Sequence, residues 1–320
     1  MSAEITGKLL KSVSRSFYLS IRVLPQNLRH PVGLAYLLAR ASDTIADTEG
    51  TPPQTRMRRL ADFESLIKGI PSPHAITSIQ RDIQPEHDGE RALIAALPQV
   101  LLQFSLLEMW EWQITSELLA NIIRGQTNDL EIFNEPNTII ALPDASGLED
   151  YIYLVAGCVG EWWTHLCFHL LPKYSHSSED DLSPLASSFG KALQLVNILR
   201  DFPADIAAGR CYLPASELRK INVDPIVLRH AMGEAQPVYD AWLARARSML
   251  EQGRQYIEAV RNRRVRIACY LPWSLAGQTL DLIEQRQPLS NGGKVKVSRS
   301  AVRAAMWRSL MVAFSNKALG

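Results

Sequence analysis

The chain has 320 residues, of which 47% are hydrophobic and 21% are charged, the composition of an ordinary globular protein. Its 34 basic and 33 acidic residues leave a net charge of +1. This balance argues against a general nucleic-acid-binding protein, because such a protein carries a large basic excess. No run of about 18–20 uncharged apolar residues is present, so the sequence predicts no bilayer-spanning helix.

The first residues, Met1-Ser-Ala-Glu-Ile-Thr, lack the long apolar core of a secretion signal. The four cysteines, Cys158, Cys167, Cys211 and Cys269, do not have the spacing of metal ligands. Reduced thiols in a cytoplasmic protein are therefore expected. Peripheral contact with the inner face of a membrane is left open.

Apolar residues recur at helical spacing along nearly the whole chain, and few segments alternate as strands do. The sequence predicts an all-α protein with one domain covering residues 1–320. Helices are predicted over residues 31–47, 54–67, 91–130, 148–171, 182–208, 238–284 and 298–317. Polar connections are predicted over residues 70–90, 134–150 and 173–183. Proline predicts a break near Pro98 and kinks at Pro203 and Pro272.

The first predicted helix ends in the acidic run Asp43-Thr-Ile-Ala-Asp47. Its two carboxylates lie four residues apart, on one helix face and on adjacent turns, where like charges repel. A divalent cation would remove this repulsion, and Mg²⁺ prefers oxygen ligands and often completes its shell with phosphates. Tyr36 and Arg40 are spaced to share the face, so Arg40 could grip the same anion. An ordinary solvated Arg–Asp pair is the alternative.

A second polar stripe lies on the helix predicted over residues 182–208. Its members follow at i, i+3, i+7 and i+11: Gln194, Asn197, Asp201 and Asp205. Apolar flanks favour burial, and buried carboxylates need partners. Arg200 and Arg210 flank the stripe and could contact phosphate. A stripe that faces solvent is the alternative, and Pro203 is awkward within such a helix.

Together the two runs predict a diphosphate held through Mg²⁺ between two helices. Metal and arginine would neutralise the departing diphosphate, and an apolar aromatic cavity would keep the remaining carbocation from water. Aromatic residues that could line such a cavity, each more typical of a plain core, are Phe17, Tyr18, Trp110, Trp112, Tyr151, Tyr153, Trp162 and Trp163.

Three further motifs have simpler interpretations. Glu161, His165 and His169 share a helix face that could bind zinc, but they sit amid bulky apolar residues, which argues against a metal. The run 292–299 around Lys294 and Lys296 either binds phosphate or forms a solvated loop, and it lacks P-loop spacing. The arginine-bearing last helix could rest on an anionic membrane, although packing on the protein body is favoured.

Four blocks in order resemble the squalene/phytoene synthase family. They are residues 14–17 (Ser-Arg-Ser-Phe), 36–47, 151–160 and 194–205, the last followed by Gly209-Arg-Cys-Tyr-Leu-Pro214. The resemblance covers most of the chain from about residue 12 to 282. It implies the isoprenoid synthase fold, a single helical bundle around a central apolar cavity, and a prenyltransferase that joins two prenyl diphosphates head to head.

The resemblance also implies residue roles. The implied ligands of Mg²⁺, with Mn²⁺ as an alternative, are Asp43, Asp47, Asn197, Asp201 and Asp205. The implied diphosphate contacts are Ser14, Ser16, Tyr36, Arg40, Gln194, Arg200 and Arg210. Tyr151 looks like the residue proposed for proton transfer. Phe17, Val155, Val159 and Gly160 would line the prenyl cavity, and Gly157 and Gly160 would let a prenyl tail pass near backbone.

Within the family, the Asp-Thr-x-x-Asp form of the first run favours the squalene-forming branch, where phytoene synthases commonly carry Asp-Asp. Arg15, Lys294 and Lys296 match in kind the residues that this branch uses for NADPH. The implied substrate is farnesyl diphosphate, which would pass through presqualene diphosphate to squalene. The alternatives are a phytoene, dehydrosqualene or presqualene diphosphate synthase, or a catalytically silent helical scaffold.

Overall fold

The computed structural model describes residues 2–13, 17–70, 72–135, 138–291 and 295–312. Helices account for nearly all of its regular structure, which confirms the predicted all-α class. The chain folds into two compact units, Met1–Glu131 and Ile132–Gly320. The single domain expected over residues 1–320 stays a prediction.

The described part of the first unit contains eight helices. They are α1 (Ser2–Val13), α2 (Phe17–Val23), α3 (Gln26–Asp47), α4 (Pro53–Ile67), α5 (Pro73–Asp82), α6 (Asp88–Ala95), α7 (Leu97–Phe104) and α8 (Met109–Ile132). Of these, α1, α2, α4, α6 and α7 pack against α3. On α3, Leu34, Leu37 and Ile45 are fully buried. The helix starts five residues earlier than predicted, so Pro31 lies inside it and not in its first turn.

The predictions for residues 70–130 were wrong in two places. The expected connection over 70–90 contains α5 and the start of α6. The expected helix over 91–130 is α6, α7 and α8: the break predicted near Pro98 is confirmed at Ala96, whereas the second break, between Phe104 and Met109, was not predicted. Local capping explains the first of these errors. The Ser72 hydroxyl accepts from the Ala75 amide at 3.3 Å, and the His87 ring nitrogen accepts from the Gly89 amide at 3.2 Å. Polar residues that suggested a loop are therefore helix caps.

The second unit is organised around the long helix α11 (Glu179–Ala207), against which α10, α13 and α14 pack. Its other elements are β1 (Ile140–Ala141), α9 (Ala145–Ile152), a π-helical turn (Tyr153–Gly157), α10 (Cys158–Leu170), β2 (Arg210–Cys211), α12 (Ala215–Lys220), two 3₁₀ turns (Pro225–Arg229 and Met232–Ala235), α13 (Gln236–Ala259), α14 (Arg263–Arg286), α15 (Pro288–Asn291) and α16 (Arg299–Val312). The helix predicted over 238–284 is thus two helices, and the connection predicted over 134–150 contains β1 and much of α9.

A two-stranded parallel sheet anchors the chain just after α11. Gly209 adopts φ +84°, a left-handed conformation that suits glycine and ends the helix. The Ile140 amide then donates to the Gly209 carbonyl at 3.0 Å, and the Leu142 amide donates to the Cys211 carbonyl at 3.0 Å. These bonds fix Arg210 two residues beyond the C-cap of α11.

The last described helix, α16, packs on α14, as the favoured interpretation of its sequence predicted. Ala305 and Ser309 are buried, whereas Trp307 and Met311 are exposed. All four cysteines are free and buried, as expected for reduced thiols. Within the described segments, no helix is both long and apolar enough to cross a membrane.

Helix α11 packs closely against the backbone of α10 and of the π-helical turn before it. A Cβ atom at Gly160 would lie 2.0 Å from the Ala186 carbonyl oxygen, and one at Gly190 would lie 2.2 Å from the Ala156 carbonyl oxygen. The neighbours of Gly157 are likewise protein atoms, on Tyr153, Lys191 and Ser187. At Gly157 and Gly160 the position that a Cβ atom would take is therefore close to atoms of the neighbouring helix, and helix packing gives one reason for glycine there. Passage of a prenyl tail past these residues stays a prediction.

This packing predicts opposite effects at two helical glycines. Gly160→Ala should lower the free energy of unfolding by about 2 kcal/mol or more, because the new methyl group overlaps backbone that cannot rotate away. Gly277→Ala is the matched control, since its Cβ would meet only Leu250 Cδ2 at 3.8 Å. It should stabilise the protein by about 0.5–1 kcal/mol through helix propensity. Urea unfolding measures both, and equal effects would contradict the packing argument.

Candidate active site

In the first unit, a concave pocket of about 230 Å³ opens beside the last turns of α3. We call it the acidic pocket. It is lined by Arg40, Asp43, Thr44, Asp47, Thr48, Glu49, Pro85, Glu86, His87 and Glu90. Five carboxylates face one guanidinium there, so the pocket has a surplus of negative charge and attracts cations.

The apolar face of α3 holds the first acidic run in place. Ala41 and Ile45 are buried, which turns Asp43 and Asp47 toward the acidic pocket. Arg40 pairs with Glu90, and its Nη1 lies 3.8 Å from Asp43 Oδ2. Arg56 donates to the Ala46 carbonyl and so secures the last turn of the helix. The predicted grouping of Arg40 with the two aspartates is present within this unit.

A helix that the sequence did not connect to this run also contacts it. Gln126 on α8 donates from Nε2 to Asp43 Oδ1 at 2.7 Å. Its Oε1 is buried and has no hydrogen-bond partner among the described residues, and the same is true of Arg40 Nε. Buried polar atoms left in this state mark a place where further polar groups are needed.

The pKa of Asp43 is raised from its ordinary 3.8 to about 6. Burial is the largest cause and the negative charge of Asp47 is the second, while Arg40 and the Gln126 hydrogen bond act in the opposite direction. The side chain is 43% exposed, yet surrounding protein removes much of its hydration. The unsatisfied Gln126 carbonyl oxygen, the paired carboxylates and the excess negative charge together fit a hydrated Mg²⁺ ion, whereas the Arg40 Nε–H fits an oxygen acceptor such as phosphate.

In the second unit, the four members of the α11 stripe, Gln194, Asn197, Asp201 and Asp205, are all half-buried. Arg200 binds Asp201 with two hydrogen bonds, from Nε at 2.9 Å and from Nη2 at 2.5 Å. This pairing raises the pKa of the Arg200 guanidinium above its ordinary value. Arg200 would therefore have to exchange Asp201 for a phosphate in order to play its predicted role.

Pro203 does not break α11, which continues to Ala207. Proline has no N–H, so the carbonyl four residues earlier, at Leu199, loses its helical donor. The buried Tyr239 hydroxyl on α13 supplies a replacement and donates to the Leu199 carbonyl at 2.7 Å. Burial raises the pKa of Tyr239, which keeps this hydroxyl a donor. The carbonyl that Pro203 leaves without a backbone donor is thus satisfied by a side-chain hydrogen bond.

Tyr151 on α9 lies against the residues that follow α11. Its ring stacks on Tyr212 with centroids 5.0 Å apart, and Phe133 meets Tyr212 edge-on at 5.1 Å. Val155 and Val159 follow at helical spacing and are half-buried. The π-helical turn begins two residues after Tyr151, and such turns are frequent at functional sites. The 151–160 and 209–214 blocks are therefore brought together.

Charged side chains contact Tyr153, the first residue of the π-helical turn. The Tyr153 hydroxyl bonds Glu161 Oε2 at 2.9 Å, and Lys191 lies 5.7 Å from the centre of the Tyr153 ring. Glu149 pairs with Lys191 at 3.3 Å and with Arg245. Glu161 accepts this hydrogen bond from Tyr153, and it does not group with His165 and His169 as its spacing on the helix suggested.

Several other predicted site residues belong to segments near the two ends of the chain. Ser14, Arg15, Ser16 and Lys294 lie outside the described residues, as does the side chain of Phe17. Tyr36 makes a long hydrogen bond, 3.5 Å, to the Val13 carbonyl just before the 14–17 block. Lys296 is exposed.

Sequence reasoning missed four residues at these sites: Glu90, Gln126, Tyr212 and Tyr239. Gln126 offers a weak signal, since it is a polar residue between the buried Ile123 and Leu130. Tyr212 falls inside a recognised block without a role attached. Nothing in the sequence indicates the hydrogen bond from Tyr239 to Leu199 except Pro203, which leaves the Leu199 carbonyl without a helical donor.

Comparison with known proteins identifies the family. The model of the squalene/phytoene synthase family matches residues 10–301. A squalene synthase of Eremothecium gossypii is 30% identical over 216 residues, which is 67% of this chain and 46% of that protein. A bifunctional lycopene cyclase/phytoene synthase of Leptosphaeria maculans is 28% identical over 331 residues, 98% of this chain and 51% of that protein. The chain spans about half the length of these curated relatives.

Solved structures agree with the fold. TcSQS in complex with a ligand superimposes with a TM-score of 0.78 at 22% identity, covering 99% of this chain and 88% of that one. Squalene synthase HpnC from Alicyclobacillus acidocaldarius gives 0.62 at 19% identity, covering 88% and 93%. The predicted isoprenoid synthase fold is confirmed. The chain belongs to the squalene/phytoene synthase family.

Because the pKa of Asp43 is raised, its charged form destabilises the fold, and we expect Asp43→Asn to stabilise the metal-free protein. The expected gain at pH 7 is about 1 kcal/mol after discounting for solvent screening. An aspartate whose folded pKa exceeds its unfolded value loses stability as pH rises between the two. The gain over wild type should therefore be small at pH 4, grow toward pH 6 and level off above it. Urea unfolding in EDTA at several pH values tests this, and a constant gain would contradict it.

We expect substitutions at Tyr239 and Pro203 to have coupled effects on the free energy of unfolding, because the Tyr239 hydroxyl donates to the carbonyl that Pro203 leaves without a donor. Tyr239→Phe should cost about 1–2 kcal/mol, because the buried Leu199 carbonyl loses its donor. In a Pro203→Ala background the restored amide can donate instead, so the same change should cost about 1 kcal/mol less. Urea unfolding of the four proteins in this cycle gives the coupling energy. Additive effects would show that the tyrosine does not substitute for the missing N–H.

Proposed function

We propose that this protein condenses two farnesyl diphosphates head to head to presqualene diphosphate and then converts this intermediate to squalene with hydride from NADPH. In each ionisation a carbon–oxygen bond breaks and diphosphate leaves with the bonding electrons. A proton is lost when the cyclopropane ring closes, and one hydride ends the sequence. Two diphosphates are released for each squalene.

The observation that carries this proposal is the acidic pocket, where paired carboxylates, one of them with a raised pKa, lie beside an arginine. In the proposal, Asp43 and Asp47 hold Mg²⁺ from the first unit, and Asn197, Asp201 and Asp205 hold it from the second. Bound there, the metal would neutralise the negative charge that develops on the leaving diphosphate. That the two runs face one another is part of the proposal.

The remaining roles belong to cationic and apolar side chains. Arg40, Arg200 and Arg210 would bind diphosphate oxygens, and each of the first two must give up a carboxylate partner to do so. Gln126 would hold Asp43 in one orientation through its hydrogen bond. Val155 and Val159 would exclude water from the cation. The Tyr151 hydroxyl would take part in the proton loss at ring closure.

The squalene product is supported by the Asp-Thr-x-x-Asp form of the first run and by the squalene synthase that is 30% identical to this chain. The second candidate is a non-reductive phytoene-type synthase. It is favoured by the alignment with bifunctional lycopene cyclase/phytoene synthase, which extends over 98% of this chain. Of the residues assigned to NADPH, Lys296 is exposed and so accessible to a dinucleotide phosphate.

Product analysis separates these functions. Purified protein is incubated with Mg²⁺ and either farnesyl or geranylgeranyl diphosphate, with and without NADPH, and the lipids are identified by mass spectrometry. We expect squalene from farnesyl diphosphate with NADPH, and presqualene diphosphate without it. A dehydro product in the presence of NADPH, or preferred conversion of geranylgeranyl diphosphate to phytoene, would reject the squalene assignment and support the second candidate.

The same assay tests the metal ligands. Asp201→Asn should lower turnover by at least about 100-fold, because diphosphate departure loses part of its charge stabilisation. Asp180→Asn on the exposed first turn of the same helix is the matched control and should keep near wild-type turnover. Wild-type turnover by the Asp201 variant, or full activity in EDTA, would remove the metal assignment.

A further inference from the structure

Two histidines and a glutamate outside the proposed active site form a compact cluster. His165 and His169 lie one turn apart on α10, with ring centroids 4.2 Å apart, and Glu179 comes from the first turn of α11. One ligand-capable atom from each of the three side chains lies within 4.8 Å of the other two. His169 is exposed, and the other two are half-buried, so an ion could enter from solvent.

Hydrogen bonds fix which nitrogens can bind a metal. His169 Nδ1 lies 3.1 Å from the His165 carbonyl oxygen, and His165 Nδ1 lies 2.6 Å from Glu179 Oε1. A carbonyl only accepts, so His169 Nδ1 carries the proton and His169 would bind a metal through Nε2. His165 Nδ1 and Glu179 Oε1 share a proton in the metal-free protein. An ion bound by both of these atoms would replace that proton, which would be released to solvent on binding.

We propose that His165, His169 and Glu179 form a Zn²⁺ site that is distinct from the magnesium ligands. Imidazole nitrogen suits zinc, whereas Mg²⁺ prefers oxygen, so the two sites select different ions. Histidines at i and i+4 present both rings on one helix face, the spacing used in helical zinc motifs. In a tetrahedral shell the ligand atoms stand about 3.3 Å apart, which small side-chain rotations from the observed cluster can reach.

The third partner distinguishes this cluster from a simple helical histidine pair. The sequence pointed to Glu161, which is on α10 itself, but that carboxylate bonds Tyr153. The carboxylate beside the two histidines is instead that of Glu179, the first residue of α11, which follows the connection over residues 171–178. An ion held by residues of both helices would therefore cross-link the end of α10 to the start of α11. We expect it to stabilise this part of the second unit and to leave the chemistry of prenyl transfer unchanged.

Metal binding is the direct test. The full chain, without a polyhistidine tag and stripped with EDTA, is titrated with Zn²⁺ by calorimetry and with Co²⁺ by visible absorption. We expect one ion per chain with micromolar affinity, a tetrahedral Co²⁺ spectrum, and a rise of a few degrees in Tm with saturating zinc. Prenyl transfer assayed with Mg²⁺ should be the same with and without the bound zinc.

Variants then assign the ligands. His165→Gln, His169→Gln and Glu179→Gln should each weaken zinc binding at least tenfold and abolish the rise in Tm. His176→Gln removes an exposed histidine from the adjacent connection and is the matched control, which should bind zinc as wild type does. Binding that survives Glu179→Gln unchanged would mean a histidine pair alone and would overturn the three-residue site. Unchanged binding in all three variants, or none in wild type, would overturn the proposal entirely, whereas the proposed prenyl-transfer function would be unaffected.

Discussion

Repulsion between carboxylates is the constraint on which the first unit depends. Asp43 and Asp47 occupy adjacent turns of a helix whose opposite face is fully buried, so neither can turn away without exposing that core. Arg40 is too far from Asp43, at 3.8 Å, and too committed to Glu90 to neutralise the pair. The fold therefore holds negative charge in place at some cost in stability, which is typical of sites that bind cations.

In the second unit the main constraint is the continuity of one long helix, α11, which carries a polar stripe and contains Pro203. Close contact at Gly160 and Gly190 fixes α11 against α10 and the π-helical turn. The Tyr239 hydroxyl repairs the hydrogen-bond ladder where Pro203 interrupts it. The glycine contacts and the tyrosine hydrogen bond both lie in or near the blocks at residues 151–160 and 194–205. The contacts that pack α11 therefore also position the aspartates that it carries.

The pattern of residues was enough to predict the helical class, the two acidic runs and the grouping of Arg40 with the first run. These features depend on spacing along one helix, which the sequence displays directly. The helix starts after Ser72 and His87 were not predicted, because these residues act as caps only where the chain turns, and the same residues are common in loops. Gln126 on Asp43, and Glu179 beside His165, join residues 83 and 14 positions apart in the chain. Such pairs follow from tertiary packing, which a single sequence does not display.

The π-helical turn over Tyr153–Gly157 makes the rod from α9 to α10 sensitive to chain length. One additional residue in that turn offsets everything after it by about 100° relative to a regular α-helix. This phase difference allows Tyr151 to meet Tyr212 while Gly160 meets Ala186. Deleting a single residue there would rotate one face away from its neighbour, even if every contact side chain were kept. Variation in this segment should therefore be by replacement of residues and not by insertion or loss.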